Sequence, residues 1–170
     1  MHKAFVAIDR GVEMLAAAIF FVMVAIGLMQ VFHRFVLNSS LSWSEEAQIF
    51  GHIWIVFLGI PIAYQRGAHL YIETFCDRFP PRMRIVFDLV VELMWAAFAV
   101  SLVVLGYMVS RVAALQESPG LEIPMSYPYY SMVFGGAYLG LVAARRLGAW
   151  YARHFTRIAA SSISPPRFFC

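Results

Sequence analysis

The chain has 170 residues, of which 61% are hydrophobic and only 14% are charged. Soluble domains carry about a quarter charged residues, so this composition excludes an ordinary soluble domain. The formal net charge of +3 does not indicate a nucleic-acid partner. The composition predicts an all-α integral membrane protein.

Four apolar segments are each long enough to cross a bilayer, since about 20 helical residues match a hydrocarbon core of about 30 Å. Their approximate bounds are residues 14–32, 47–64, 85–109 and 125–144. We expect helices, because every backbone polar group in lipid must be satisfied within its own segment. Residues 1–150 should form one four-helix membrane domain with short interfacial helical segments, and residues 151–170 a flexible cytoplasmic tail.

The 13 Lys and Arg residues indicate the orientation. Two precede the first segment, four lie between the second and third, and five follow the fourth. Arg34 and Arg111 lie alone in the other two loops. The positive-inside rule then predicts four transmembrane helices with both termini in the cytoplasm.

Polar side chains gather where the first segment ends and the second begins. Glu45, Gln48 and His52 are spaced to share one helical face. Such groups are costly against lipid, so they should face protein, water or headgroups. Two interpretations stay open: Arg34 pairs with Glu45 or Glu46 across the two helix ends, or the stripe docks onto another membrane protein.

The start of the second helix carries two further signals. Ser42 and Glu45 have the spacing of a capping box, in which each side chain satisfies a free backbone N–H. Trp43 suits the boundary between headgroups and hydrocarbon. In the fourth segment, Gly136 and Gly140 are spaced for close helix packing.

The third segment contains Asp88 and Glu92, four residues apart and therefore on one face. Arg84 lies four residues before Asp88, and Arg145 or Arg146 can approach from the fourth segment. We favour structural ion pairing of Arg84, Asp88 and Glu92 over a role in ion relay.

Several motifs, in matching order, resemble the small permease subunits of tripartite ATP-independent periplasmic (TRAP) transporters. They are Val31–Glu46, Phe57–Gly59, Arg66–Glu73, Asp77–Pro81 and Ser118–Met125. The resemblance spans roughly Asp9 to Arg146 and departs at Glu73, where the family more often has Asp.

The resemblance implies a role in ion-gradient-driven uptake. In that family a periplasmic solute-binding protein captures a substrate, typically an organic acid, and a large permease subunit carries it inward. The small subunit packs beside the large one and supports its scaffold. This chain would then lie in the bacterial inner membrane without catalytic residues, cofactor or metal, and its partners would be the large permease subunit, the binding protein and membrane lipid.

The same resemblance implies that the functional surface is a subunit interface. Its residues would be Arg34, Trp43, Glu45, Glu46, Gln48 and His52 at the outer side, and Gly67, His69 and Glu73 at the cytoplasmic side.

Two alternatives belong to other classes of protein. A membrane cytochrome would use His33 and His52 as axial haem ligands, which is the ligation such proteins need. A free-standing small transporter or channel would place Asp88 and Glu92 on its pathway.

Overall fold

The computed structural model describes residues 2–39, 41–66 and 81–163. These residues form four helices: α1 is His2–Val36, α2 is Ser42–Gln65, α3 is Pro81–Ala113 and α4 is Ser126–Ile163. Within the described ranges no strand accompanies them, apart from an isolated antiparallel bridge between Glu117 and Pro124. The predicted all-α class is confirmed.

Three of these helices are long and apolar enough to cross a membrane, over Phe5–Val36, Ser42–Gln65 and Val86–Ala113. Helix α4 is long enough, but it is not among the helices that are apolar enough to cross a membrane. Its first half carries four tyrosines and three glycines, namely Tyr127, Tyr129, Tyr130, Tyr138, Gly135, Gly136 and Gly140. These residues lower its hydropathy, so a membrane span by α4 stays a prediction.

Two helices are longer than the apolar segments that predicted them. Helix α1 begins at His2 and not near residue 14, and α4 continues to Ile163, into the segment for which we expected a flexible tail. Hydropathy identifies only the residues that match the lipid core. Polar helix-forming residues beyond that core can continue the same helix.

The helices lie in the spatial order α1, α2, α4, α3. Helix α2 packs against both α1 and α4, and α4 packs against α3. Consecutive helices run in opposite directions. Asp9 near the start of α1 contacts Gln65 at the end of α2, and Tyr64 at the end of α2 contacts Glu92 in the first half of α3. In α3 and α4, Glu92 lies near Arg146 whereas Gly106 lies near Met132. We call the end that contains Asp9 the N-terminal end. We call the opposite end, where α1 connects to α2 and α3 connects to α4, the hairpin end.

The buried core lies among α2, α3 and α4. It consists of Tyr64, Ala99, Leu102, Tyr138, Leu139, Val142 and Ala143. Helix α1 supplies none of these residues, and large apolar side chains along it are exposed, including Phe21 at 75% and Phe35 at 76%. A long apolar helix packed on one side only leaves a broad surface for lipid or for another membrane protein.

Two adjacent glycines allow α4 to approach both of its neighbours closely. A Cβ on Gly135 would collide with the backbone carbonyl of Phe57 in α2. A Cβ on Gly136 would lie 2.9 Å from Cβ of Leu102 in α3. Small residues at such crossings let helix backbones come together in membranes. Gly140, the second member of the predicted spaced pair, would make only an ordinary contact at 3.7 Å.

Candidate subunit-contact site

Glu46, near the start of α2, is bonded to the connection between α3 and α4. Its Oε2 atom accepts a hydrogen bond from the Ser118 hydroxyl. The same atom accepts hydrogen bonds from the backbone N–H groups of Gly120 and Leu121, and these two distances are both 3.0 Å. Hydrogen bonds to an ionised carboxylate are among the stronger ones in proteins. One carboxylate therefore fastens this connection to α2.

The local conformation of the connection presents those donors to Glu46. The Ser118 N–H donates to the Ile123 carbonyl and the Glu122 N–H donates to the Ser118 carbonyl, both at 2.9 Å. Glu122 has a φ of 53°, in the left-handed region, which lets the chain turn back within a few residues. The turn leaves the N–H groups of Gly120 and Leu121 free to face the carboxylate.

The predicted polar stripe lines an open groove between α1 and α2. Gln30 of α1 and Glu45, Gln48 and His52 of α2 supply its polar lining, and the groove volume is about 590 Å³. The remaining lining residues are apolar: Ile49, Ile53, Val56 and Phe57. The carboxylate of Glu45 is exposed and accepts one long hydrogen bond, 3.4 Å from Nε2 of Gln30.

The predicted pairing of Arg34 with Glu45 or Glu46 is wrong. Within residues 2–39, 41–66 and 81–163, Arg34 forms no ion pair with either glutamate and its side chain is exposed. Glu46 instead faces the α3–α4 connection, and Glu45 faces Gln30. Trp43 is half-buried.

The predicted capping box is also wrong. The N-cap position of α2 is Leu41, which makes no side-chain capping hydrogen bond, and Ser42 is already helical. The neighbouring Ser44 hydroxyl donates to the Leu41 carbonyl at 2.7 Å. The helix thus begins one residue earlier than the capping-box spacing indicates.

At the N-terminal end, Asp9 links three helices. Its Oδ1 atom is 2.8 Å from the Tyr138 hydroxyl, and Arg145 Nη1 is 3.2 Å from both carboxylate oxygens. Gln65 of α2 donates to Oδ2, and the Arg145 guanidinium lies 4.7 Å from the centre of the Phe5 ring. The sequence analysis missed this cluster. An available signal was an acidic residue beside the first apolar segment, with Arg145 at the matching end of the fourth.

A second cluster is built in the same way around Glu92 of α3. Tyr64 of α2 donates its hydroxyl to Glu92, and Arg146 Nη1 lies 3.8 Å from Glu92 Oε1. Arg146 also donates to the Tyr64 carbonyl at 3.2 Å and places its guanidinium 4.6 Å from the centre of the Tyr64 ring. The Tyr64 ring packs against Trp95, with 4.7 Å between the ring centres.

For the other two residues of the predicted ion-pairing set the structure says less. Asp88 is exposed, and the side chain of Arg84 lies outside those that the structure describes. Gly67, His69 and Glu73 also lie outside the described residues. Glu13, in the first half of α1, forms an ion pair at 2.8 Å with Arg66, which directly follows α2. This pair is more exposed than those of Asp9 and Glu92.

These contacts join the helices and one connection of this chain to each other. Asp9, Glu46 and Glu92 each accept hydrogen bonds from other elements of the chain, and carboxylates satisfied in this way act as structural ties. Glu45 and His52, in contrast, lie on the open groove between α1 and α2. Polar groups exposed along a membrane helix are expected to meet a partner or water.

Comparison with known proteins gives one consistent family. The pattern described as "Tripartite ATP-independent periplasmic transporters, DctQ component" matches residues 23–153. The chain is 28% identical over 127 residues to the sialic acid TRAP transporter small permease protein SiaQ of Vibrio cholerae. The matched residues are 75% of this chain and 73% of that protein. It is 25% identical over 92 residues to the C4-dicarboxylate TRAP transporter small permease protein DctQ of the same species, covering 54% of this chain and 40% of that protein.

A third relative is much longer. The isethionate TRAP transporter permease protein DctMQ of Oleidesulfovibrio alaskensis is 27% identical over 107 residues, which are 62% of this chain but 16% of that protein. The family match covers most of the chain and contains all of α2 and α3. This chain belongs to the DctQ family, the small permease components of tripartite ATP-independent periplasmic transporters.

Proposed function

We propose that this chain is the small membrane subunit of a TRAP transporter in a bacterial inner membrane. It supports the scaffold of a large permease subunit during ion-gradient-driven uptake of an organic acid, which a periplasmic binding protein delivers. The family match and the names of the relatives support this function. The long DctMQ relative supports a large permease as the partner, because a segment similar to this chain forms part of a longer protein named as a permease.

One structural observation carries the supporting role. The row of helices leaves α1 packed mainly against α2, with large apolar side chains exposed along its length. The carboxylates Asp9 and Glu92 are held by tyrosines and arginines of neighbouring helices. Internal ties combined with a broad outer surface suit a rigid element that packs beside a larger protein.

The orientation is part of the proposal. All four helices cross the membrane, both termini lie in the cytoplasm, and the hairpin end faces the periplasm. The positive-inside distribution supports this arrangement, since Lys and Arg concentrate in segments at the N-terminal end. The hairpin end would then face the binding protein.

The two rival functions lack support. The relatives are transporter subunits, and none of the comparisons points to a haem protein. His33 Nδ1 lies 3.5 Å from the Ser39 hydroxyl, whereas His52 lines the groove. A pathway through Glu92 is disfavoured, because Tyr64 and Arg146 already hold that carboxylate.

Co-purification tests the proposal. The chain, carrying an affinity tag, is co-expressed with its cognate large permease subunit and extracted in a mild detergent. We expect the large subunit to be recovered with the tag in a fixed ratio, and an unrelated four-helix membrane protein with the same tag to recover none. Recovery of the chain alone, under conditions in which both proteins are present in the membrane, would contradict the proposal.

A further inference from the structure

The groove between α1 and α2 presents exposed polar side chains at two depths. Glu45 and His52 lie on the same face of α2 and are seven residues apart, which is about 10 Å along a helix axis. Between them the groove is lined by Gln48, which is half-buried, and by the apolar side chain of Ile49, which is 57% exposed. An occupant must therefore match an exposed polar group near the hairpin end, the exposed apolar side chain of Ile49, and a second exposed polar group two turns deeper.

Nearer the hairpin end, the carboxylate of Glu45 has few hydrogen-bond donors around it. Among the described residues, Glu45 accepts one hydrogen bond, from Gln30 at 3.4 Å, and takes part in no ion pair. The neighbouring carboxylate of Glu46 has three donors within the chain. Of these two adjacent glutamates, Glu45 is the one with capacity for an external cation.

The position of His52, deeper in the groove, argues against a lipid as the occupant. His52 is exposed, and among the described residues its imidazole ring makes no hydrogen bond. It lies ten residues into α2, about 15 Å from the helix start. A phospholipid can offer a polar headgroup to Glu45, but only hydrocarbon at the depth of His52. A membrane helix can present polar side chains at both depths.

We propose that this groove seats one helix of the large permease subunit. That helix carries an arginine or lysine at the level of Glu45 and a hydrogen-bonding side chain about two turns deeper, opposite His52. The aliphatic stem of the basic residue lies along Ile49, as long cationic side chains commonly lie on apolar surfaces. This inference rests on the proposed function and adds to it the contact face and the chemistry of the partner.

Site-specific photo-crosslinking tests the location. A benzophenone amino acid replaces Ile49 in the groove or, as a control, Val100 on α3, which is 62% exposed and lies outside the groove lining. Both variants are co-expressed with the large subunit and irradiated in intact membranes. We expect the probe at position 49 to crosslink to one helix of the large subunit, at a site within about one turn of a Lys or Arg. The probe at position 100 should not reach that helix.

A charge exchange tests the chemistry. Glu45→Arg should lower recovery of the complex at least about tenfold, since a mispaired charge at an interface is strongly unfavourable. Glu117→Arg makes the same change at an exposed glutamate of the hairpin end and should leave recovery near that of the wild type. Changing the crosslinked Lys or Arg of the large subunit to Glu should restore recovery with Glu45→Arg.

The outcomes separate this inference from the proposed function. If the wild-type complex forms but position 49 crosslinks only to lipid or to a second copy of this chain, the groove assignment is wrong and the function stands. Failure of the charge exchange to restore recovery would likewise overturn the predicted basic partner. If no wild-type complex is recovered at all, both the function and the inference are contradicted.

Discussion

Arg145 of α4 lies 3.2 Å from both carboxylate oxygens of Asp9 in α1, a residue 136 positions earlier in the chain. The next residue, Arg146, lies 3.8 Å from Glu92 in α3. Two adjacent arginines thus extend from one helix to the two outer helices of the row. They hold α1 and α3 in place at the N-terminal end.

Loss of the Asp9 carboxylate should destabilise the protein more than loss of Glu13. In Asp9→Ala, Arg145 and Tyr138 lose a shared acceptor, and we expect a loss of about 1–2 kcal/mol because the arginine is partly exposed. Glu13→Ala removes a pair whose side chains are 39% and 69% exposed and should cost less than about 0.5 kcal/mol. Thermal unfolding of the detergent-solubilised variants measures both. Equal shifts in melting temperature would contradict the structural role of Asp9.

Removal of the Glu46 carboxylate should loosen the connection between α3 and α4. In Glu46→Ala the N–H groups of Gly120 and Leu121 lose their acceptor, so we expect their amide hydrogens to exchange several-fold faster. Glu45→Ala is the matched control, because its carboxylate bonds to Gln30. Hydrogen exchange followed by mass spectrometry over residues 114–125 distinguishes the two. Unchanged exchange in Glu46→Ala would show that the carboxylate does not hold this connection.

Alanine should destabilise the protein at Gly135 of α4 but not at Gly140 of the same helix. Gly135→Ala places a methyl group against the Phe57 carbonyl and should destabilise the protein by about 1–3 kcal/mol, as overpacking of a close contact does. Gly140→Ala places its methyl group 3.7 Å from Ala99 Cβ, an ordinary contact, and should be neutral or slightly stabilising. Melting temperatures of the two variants test this difference. A tolerated Gly135→Ala would mean that α2 and α4 are less tightly packed than described.

Labelling from one side of the membrane tests the proposed orientation. With Cys170 changed to serine, Cys76 reports on the connection between α2 and α3, and an added Glu117→Cys reports on the hairpin end. In spheroplasts, an impermeant maleimide should label position 117 and should reach Cys76 only after permeabilisation. Labelling of Cys76 in intact spheroplasts, with protection of position 117, would reverse the orientation.

The sequence predicted the helices better than their contacts. Apolar length alone indicated four helices, because the lipid core imposes a minimum span. The polar face of Glu45, Gln48 and His52 also followed from spacing, since helical periodicity fixes which residues share a face. These features depend on neighbouring positions in one helix.

The tertiary partners could not be predicted in the same way. One of the two interpretations pairs Arg34 with Glu45 or Glu46 from the adjacent helix end, yet the donors to Glu46 come from residues 118–121. Asp9 and Arg145 are far apart in sequence, and nothing local indicates that α4 lies between α2 and α3. Helix order in space decides these pairs. Gly135 illustrates the same limit, because spacing favoured Gly136 and Gly140 while the closest approach to α2 occurs at Gly135.

Reconstituted uptake tests the central claim most directly. Proteoliposomes contain the large permease subunit alone, this chain alone, or both, and receive the cognate binding protein with its radiolabelled organic acid under an inward ion gradient. We expect gradient-dependent uptake only when both membrane subunits are present. Uptake by this chain alone, or full uptake by the large subunit without it, would contradict its role as the supporting subunit.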